Sequence, residues 1–225
     1  MNKKNVFMFC FFIVSALHVT ALVFPISILS TITKPLIVLS LMAHYAMAAP
    51  TKSKMVLLAL LFCLVGDVSL MVVEKNELFF MGGLASFLIG HVLYIITYRQ
   101  HQQAGIGEEL LSTQKIRFAL PIVLAGTGLI AVLFPRLGSL QIPVMIYAVV
   151  LMIMVITALL RYGKTGMNSY RLVLFGAILF MISDSLLAIN KFLHPFYAAS
   201  LAVMITYIAA QYFIVKGILA HQSYK

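Results

Sequence analysis

Acidic residues are scarce: the 225-residue chain has six, against sixteen lysines and arginines. Only two are aspartates, Asp67 and Asp184. Charged residues of either sign make up 10% of the chain and hydrophobic ones 63%, with a mean hydropathy of +1.06. A soluble fold of this size would leave most of that apolar surface exposed. Soluble classes are therefore excluded, nucleic-acid binding among them despite the net charge of +10, and the solvent is a bilayer. The basic surplus records topology and anionic lipid headgroups. Cysteine is nearly absent: Cys10 and Cys63 sit mid-segment in apolar runs, with no disulfide framework and no CxxC spacing. No Pro- or Ser-rich linker, low-complexity tract or soluble appendage breaks the sequence, which reads as one compact membrane domain.

A membrane span needs roughly 20 apolar residues. On that measure helices fall at about 6–24, 35–49, 55–73, 78–98, 118–134, 141–160, 172–190 and 196–219. The expected fold is all-α, a polytopic membrane protein built as a bundle of eight transmembrane helices. Pro35, Pro121, Pro143 and Pro195 fall near helix starts, where a missing N–H does no harm. The interval Ser27–Thr33 extends the second span if it is helical, and the long connection His101–Lys115 has room for a short surface helix. Lys3 and Lys4 precede an apolar run as in a signal peptide, but the run continues to Phe24 without a small-x-small cleavage site, so it is counted as the first span.

Eight spans place both termini on one side. That side receives Lys3, Lys4, Lys52, Lys54, Arg99, Lys115, Arg117, Arg161, Lys164, Arg171, Lys216 and Lys225; the other receives Lys34, Lys75, Arg136 and Lys191. Twelve against four predicts cytoplasmic termini, in a multi-pass protein of a bacterial inner membrane. Asp67 lies 13 residues after Lys54 and Asp184 lies 13 after Arg171, which predicts similar depths, displaced toward the non-cytoplasmic half. GDVSL and SDSLL also look alike, a faint sign of an old duplication.

A carboxylate within hydrocarbon is costly and normally marks a function. Two in matching surroundings predict one polar site shared by two helices. Around them, Phe80, Gly83, Phe87, Gly90 and Tyr94 recur at steps of three and four, on one helical face adjoined by His91. Tyr197, Ser200, Met204, Tyr207 and Gln211 repeat the pattern in the last span. Gln211 needs partners there, from another helix or from a headgroup or water. Tyr147 is a further wall residue. Lys34, at the opening of the second span, either snorkels to the interface or reaches inward toward a carboxylate or lipid phosphate. Glu74, Glu77, Glu108 and Glu109 are expected to be solvated. Of His18, His44, His101, His194 and His221, only His44 is clearly intramembrane.

Two interacting carboxyls ionise in turn, so the resting pair at neutral pH is one acid and one carboxylate. That suits general acid–base hydrolysis and equally a proton-coupled transporter or lipid flippase. A third possibility is a zinc-dependent lipid hydrolase with Asp67, Asp184 and His91 as ligands, although no HxxxH or HExxH pair exists on any span.

The blocks GDVSLMV, then FFMGGLASFLIGHVLYI, then ISDSLLAINKF occur in that order. Together they resemble the YhhN family of eight-span membrane proteins, the lysoplasmalogenases, and the likeness extends to Lys34-Pro35 and to Tyr207 with Gln211. The resemblance implies hydrolysis of the vinyl-ether bond of a lysoplasmalogen, yielding a fatty aldehyde and a glycerophospho-choline or -ethanolamine. It implies Asp67 and Asp184 as catalytic residues, with Lys34, His91, Tyr94, Tyr147, Tyr207 and Gln211 around the substrate. No metal or cofactor is required. The expected partners are the lysophospholipid and membrane lipids.

Overall fold

A computed structural model describes residues 3–72, 78–103 and 107–222. Glu74, Glu77 and Lys75, given solvent and topological roles above, lie outside these. The described residues contain eight long helices and no strand. They are α1 (Lys3–Val23), α2 (Ser27–Ala48), α3 (Lys54–Met71), α4 (Leu78–Gln100), α5 (Ser112–Leu133), α6 (Gln141–Leu159), α7 (Met167–Ala188) and α8 (Ala199–Gln222). Each is long and apolar enough to cross a bilayer, so the chain is a multi-pass membrane protein. The chain divides into two compact units, Met1–Thr97 and Tyr98–Lys225.

Three boundaries differ from expectation. The second helix begins at Ser27, so Lys34 and Pro35 lie about two turns inside it and do not open it. Pro121 is likewise interior to α5, which begins at Ser112. A span tolerates such prolines because neighbouring helices and Ser/Thr side chains re-satisfy the freed carbonyl. α7 begins at Met167, and the described part of the 101–111 connection is not helical.

In the first unit, each helix buries one stripe. On α1 it is Phe11, Ser15, His18 and Ala21; on α2, Thr33, Ile37, Leu41 and His44; on α3, Val56, Leu60, Cys63 and Asp67. Steps of three and four produce such a stripe. The face expected on α4 is buried along its length, from Phe80 through Gly83, Phe87 and Gly90 to Tyr94. Its glycines set the α3–α4 spacing: a Cβ at Gly90 would lie 3.1 Å from Cys63 Sγ, and the Phe87 ring occupies the space beside Gly66. Small residues that admit close approach are the usual cement of membrane helices.

In the second unit, α7 and α8 form an antiparallel seam. Ser169 Oγ donates to Gly217 O at 2.7 Å near one end, and Ser183 Oγ donates to Val203 O at 2.9 Å near the other. Between them the Phe180 and Tyr207 rings meet edge to face at 5.5 Å. α6 packs on α7 as well. After Ala188 the α-helical ladder gives way to a π-helical turn, Ile189–Leu193. Arg136 donates from Nη1 to the Leu193 carbonyl that ends it.

Candidate active site

Asp67 is buried, on the inward stripe of α3 and four residues before the helix ends at Met71. Its unit also holds Lys34, His91 and Tyr94. His91 and Tyr94 are fully buried on α4. Lys34 shares a stripe with the buried Val38, Leu41 and Tyr45, so it faces protein and is half-buried.

Asp184 is half-buried on α7, four residues before Ala188. Tyr147, on α6, donates its phenol hydrogen to Asp184 Oδ2 at 2.6 Å. This short contact fixes the carboxylate as an acceptor and holds it in one rotamer. One turn back on α7, Phe180 carries the Tyr207 ring, and Gln211 Nε2 donates to Tyr207 Oη at 3.3 Å. Gln211 is fully buried and Tyr207 nearly so. The face expected on α8 thus begins at Met204. Tyr197 and Ser200 are exposed, and Tyr197 precedes the helix.

Several buried polar groups were not foreseen, His18, His101, His221 and Arg161 among them. His18 lies inside α1 and is 2% exposed; the spacing of α1 carries no polar pattern that would single it out. Arg161, counted above as a loop cation, is fully buried just beyond α6. Its Nη2 donates to Ser169 Oγ at 3.0 Å and to His101 O at 3.3 Å.

The first unit offers a buried carboxyl, an imidazole, a phenol and a cation, and the second a carboxylate that accepts from a phenol, with a buried amide on the neighbouring helix. Proton transfer is a chemistry that such groups support. Among the described residues no three His, Cys, Asp or Glu side chains gather as a metal-binding group.

The chain is 31% identical over 142 residues to a lysoplasmalogenase of Mycobacterium bovis, covering 61% of this chain and 50% of that one. It is 30% identical over 141 residues to human lysoplasmalogenase TMEM86B, covering 62% and 54%. The pig protein of the same name is 32% identical over 157 residues, covering 69% and 59%. The chain thus matches about half the length of these curated relatives. No solved structure matches it. The YhhN family model matches residues 29–218, and the chain belongs to the YhhN family.

Proposed function

We propose that the protein hydrolyses the vinyl-ether bond of lysoplasmalogens within the membrane, with Asp67 and Asp184 as its acid and base. The observation that carries this reading is the Tyr147–Asp184 hydrogen bond at 2.6 Å, in a chain whose family relatives carry the lysoplasmalogenase name. An oxygen that accepts from a phenol suits a carboxylate that stabilises a cation and then takes a proton from water. The acid's role falls to Asp67.

The chemistry balances with water as the one co-reactant. Asp67 gives its proton to the β-carbon of the vinyl ether, forming an oxocarbenium ion. The negative charge of Asp184 stabilises that ion. Water adds at the carbon bearing the oxygen and releases a proton to Asp184. The hemiacetal then collapses to the fatty aldehyde and the free glycerol hydroxyl, and proton exchange restores the pair. The apolar faces of the helices hold the alkenyl chain, and a single-chain lipid enters laterally from the bilayer.

The test is aldehyde release by purified protein given a lysoplasmalogen. Asp67→Asn and Asp184→Asn should each abolish turnover while leaving a detergent-stable protein. Tyr147→Phe should lower kcat by roughly 10- to 100-fold, the scale of one charge-assisted hydrogen bond. A chelator should change nothing. Near-wild-type turnover in either Asn variant removes that carboxyl from the mechanism. A folded wild type that releases no aldehyde, yet moves protons or lipid across liposomes, would replace hydrolysis with transport.

A further inference from the structure

α1 and α2 are antiparallel neighbours that pack along their lengths, and they bury polar groups that the reaction above does not use. His18 Nδ1 lies 2.9 Å from Thr33 Oγ1. The Thr33 hydroxyl is itself 2.6 Å from Leu29 O, and two oxygens approach that closely only with a hydrogen between them. Threonine has one such hydrogen, and Leu29 O takes it. Toward His18 the hydroxyl therefore accepts, so Nδ1 carries the ring proton. In the neutral ring Nε2 is then a bare acceptor. That atom is buried and has no hydrogen-bond partner among the described residues. Neither does Ser15 Oγ, three residues earlier on the same buried stripe. Lys34, next to Thr33, lies close enough to act electrostatically on the ring, and among the described residues it makes no ion pair.

An acceptor and a hydroxyl are thus buried without a hydrogen-bond partner among the described residues, with an ammonium-bearing residue beside Thr33. Leaving such groups unmade in a bilayer is expensive. Their depth matches that of the acid. α1 ends, α2 begins and α3 ends at the same face of this unit. At 1.5 Å per residue, His18 lies about 8 Å, Lys34 about 10 Å and Asp67 about 6 Å from that end. α2 packs against both α1 and α3.

We infer that Ser15, His18 and Lys34 form a subsite for the glycerophosphate of a lysophospholipid, with His18 Nε2 accepting from the free glycerol hydroxyl and Lys34 and Ser15 holding the phosphate. This rests on the proposed hydrolysis and adds the recognition of its substrate. It explains why a lyso form is taken: a lipid acylated at the central glycerol carbon has no hydroxyl to give, and binding it leaves Nε2 buried without a donor. Sites built around a substrate hydroxyl reject analogues that lack it more strongly than apolar pockets reject a methylene. Ser15 and His18 lie outside the family-matched residues 29–218, so α1 adds recognition to a shared catalytic body.

The test is a binding experiment with the full chain in nanodiscs and three probes that it does not cleave. These are a 1-O-alkyl lysophosphatidylcholine, its 2-O-methyl ether, and a 1-O-alkylglycerol without phosphate. Wild type should bind the first at least about tenfold more tightly than either of the others, the scale of one hydrogen bond. His18→Ala should bind the hydroxyl and methyl-ether probes equally while still preferring phosphate. Lys34→Met should show the reverse: equal binding with and without phosphate, and retained preference for the hydroxyl. Thr33→Val removes the acceptor that fixes the tautomer and should weaken hydroxyl preference alone, which serves if His18→Ala does not fold. Wild-type discrimination in His18→Ala, or in Thr33→Val should His18→Ala not fold, would overturn the inference. So would a wild type indifferent to the methyl ether. Because the probes are not cleaved, failure of hydrolysis and failure of this subsite read out separately.

Discussion

Arg161 shows what one buried side chain does to the second unit. It stands just beyond the end of α6, and His101, whose carbonyl it bonds, directly follows the end of α4. Helix C-termini present partial negative charge and unsatisfied carbonyls, which partly answers a guanidinium that has no carboxylate partner among the described residues. The answer is incomplete: Nε and Nη1 have no hydrogen-bond partner among the described residues. Burial accordingly pushes the Arg161 pKa well below the usual guanidinium value, to about 10, with Tyr98 opposing. A base whose folded pKa is lowered binds fewer protons folded than unfolded across the interval between the two values, so stability rises with pH there. Below pH 10 the full cost of the buried charge is present. Wild type should therefore gain stability relative to Arg161→Met between pH 8 and pH 11, while their difference stays flat from pH 6 to pH 8. Paired thermal melts check this, and a difference that is flat throughout would mean that the guanidinium is well solvated. Ser169→Val should destabilise at every pH, by about 1–3 kcal/mol, because it strips Gly217 O and Arg161 of a partner together. None of this was legible in the sequence. Arg161 sits in a short basic connection and counts there as a topological charge; its burial arises only when the ends of distant segments meet around it.

At the scale of elements, glycines placed against backbone are the least replaceable positions. A Cβ at Gly176 would lie 2.9 Å from both the Ala210 carbonyl oxygen and the Ile214 nitrogen, so α7 and α8 would have to part. Gly163 has φ of +73°, and a Cβ there would meet the Glu108 carbonyl. Gly176→Ala should lower stability by roughly 1–3 kcal/mol, as overpacking of a tight seam does. Gly82→Ala, which meets nothing within 4 Å, should be neutral or slightly stabilising through helix propensity. Denaturation in one detergent, read by tryptic resistance, separates the two; equal losses would mean that α7 and α8 tolerate separation. The α4 face could be read from sequence because aromatic and glycine residues at steps of three and four have few uses besides a packed seam. The start of α2 was legible only as one of two alternatives, and the extension through Ser27–Thr33 is the one that forms. Lys34-Pro35 imitates a helix opening, and only the packing of Ser27–Thr33 against α1 shows the helix continuing through the proline. The α8 face was half legible, since Met204, Tyr207 and Gln211 are buried while Tyr197, on the same spacing, precedes the helix.

For the whole molecule, the corrected start of α2 alters the charge ledger. Lys34 leaves the loops and lies within α2, as Lys115 and Arg117 lie within α5, Arg171 within α7 and Lys216 within α8; the charge-poor side keeps Lys75, Arg136 and Lys191, and the other side still carries the larger share. The positive-inside bias thus keeps its sign. It predicts that the connections around residues 49–53, 101–111 and 160–166 face the cytoplasm, with those around 134–140 and 194–198 on the opposite side. Single cysteines at Gln102 and Lys164 should then be protected from a membrane-impermeant maleimide in spheroplasts and react after lysis. Cysteines at Ser139 and Tyr197 should react in both. The native Cys10 and Cys63 lie within α1 and α3 and serve as the unlabelled background. The outcome also constrains the chemistry. Asp67, four residues before the end of α3, and Lys34, two turns into α2, belong to the end of their unit that this orientation turns away from the cytoplasm. Lysolipid would then be met in the outer leaflet and its polar product released on that side. Labelling in the reverse pattern would place the same carboxyl in the cytoplasmic leaflet and make the cell's own lysolipid pool its supply.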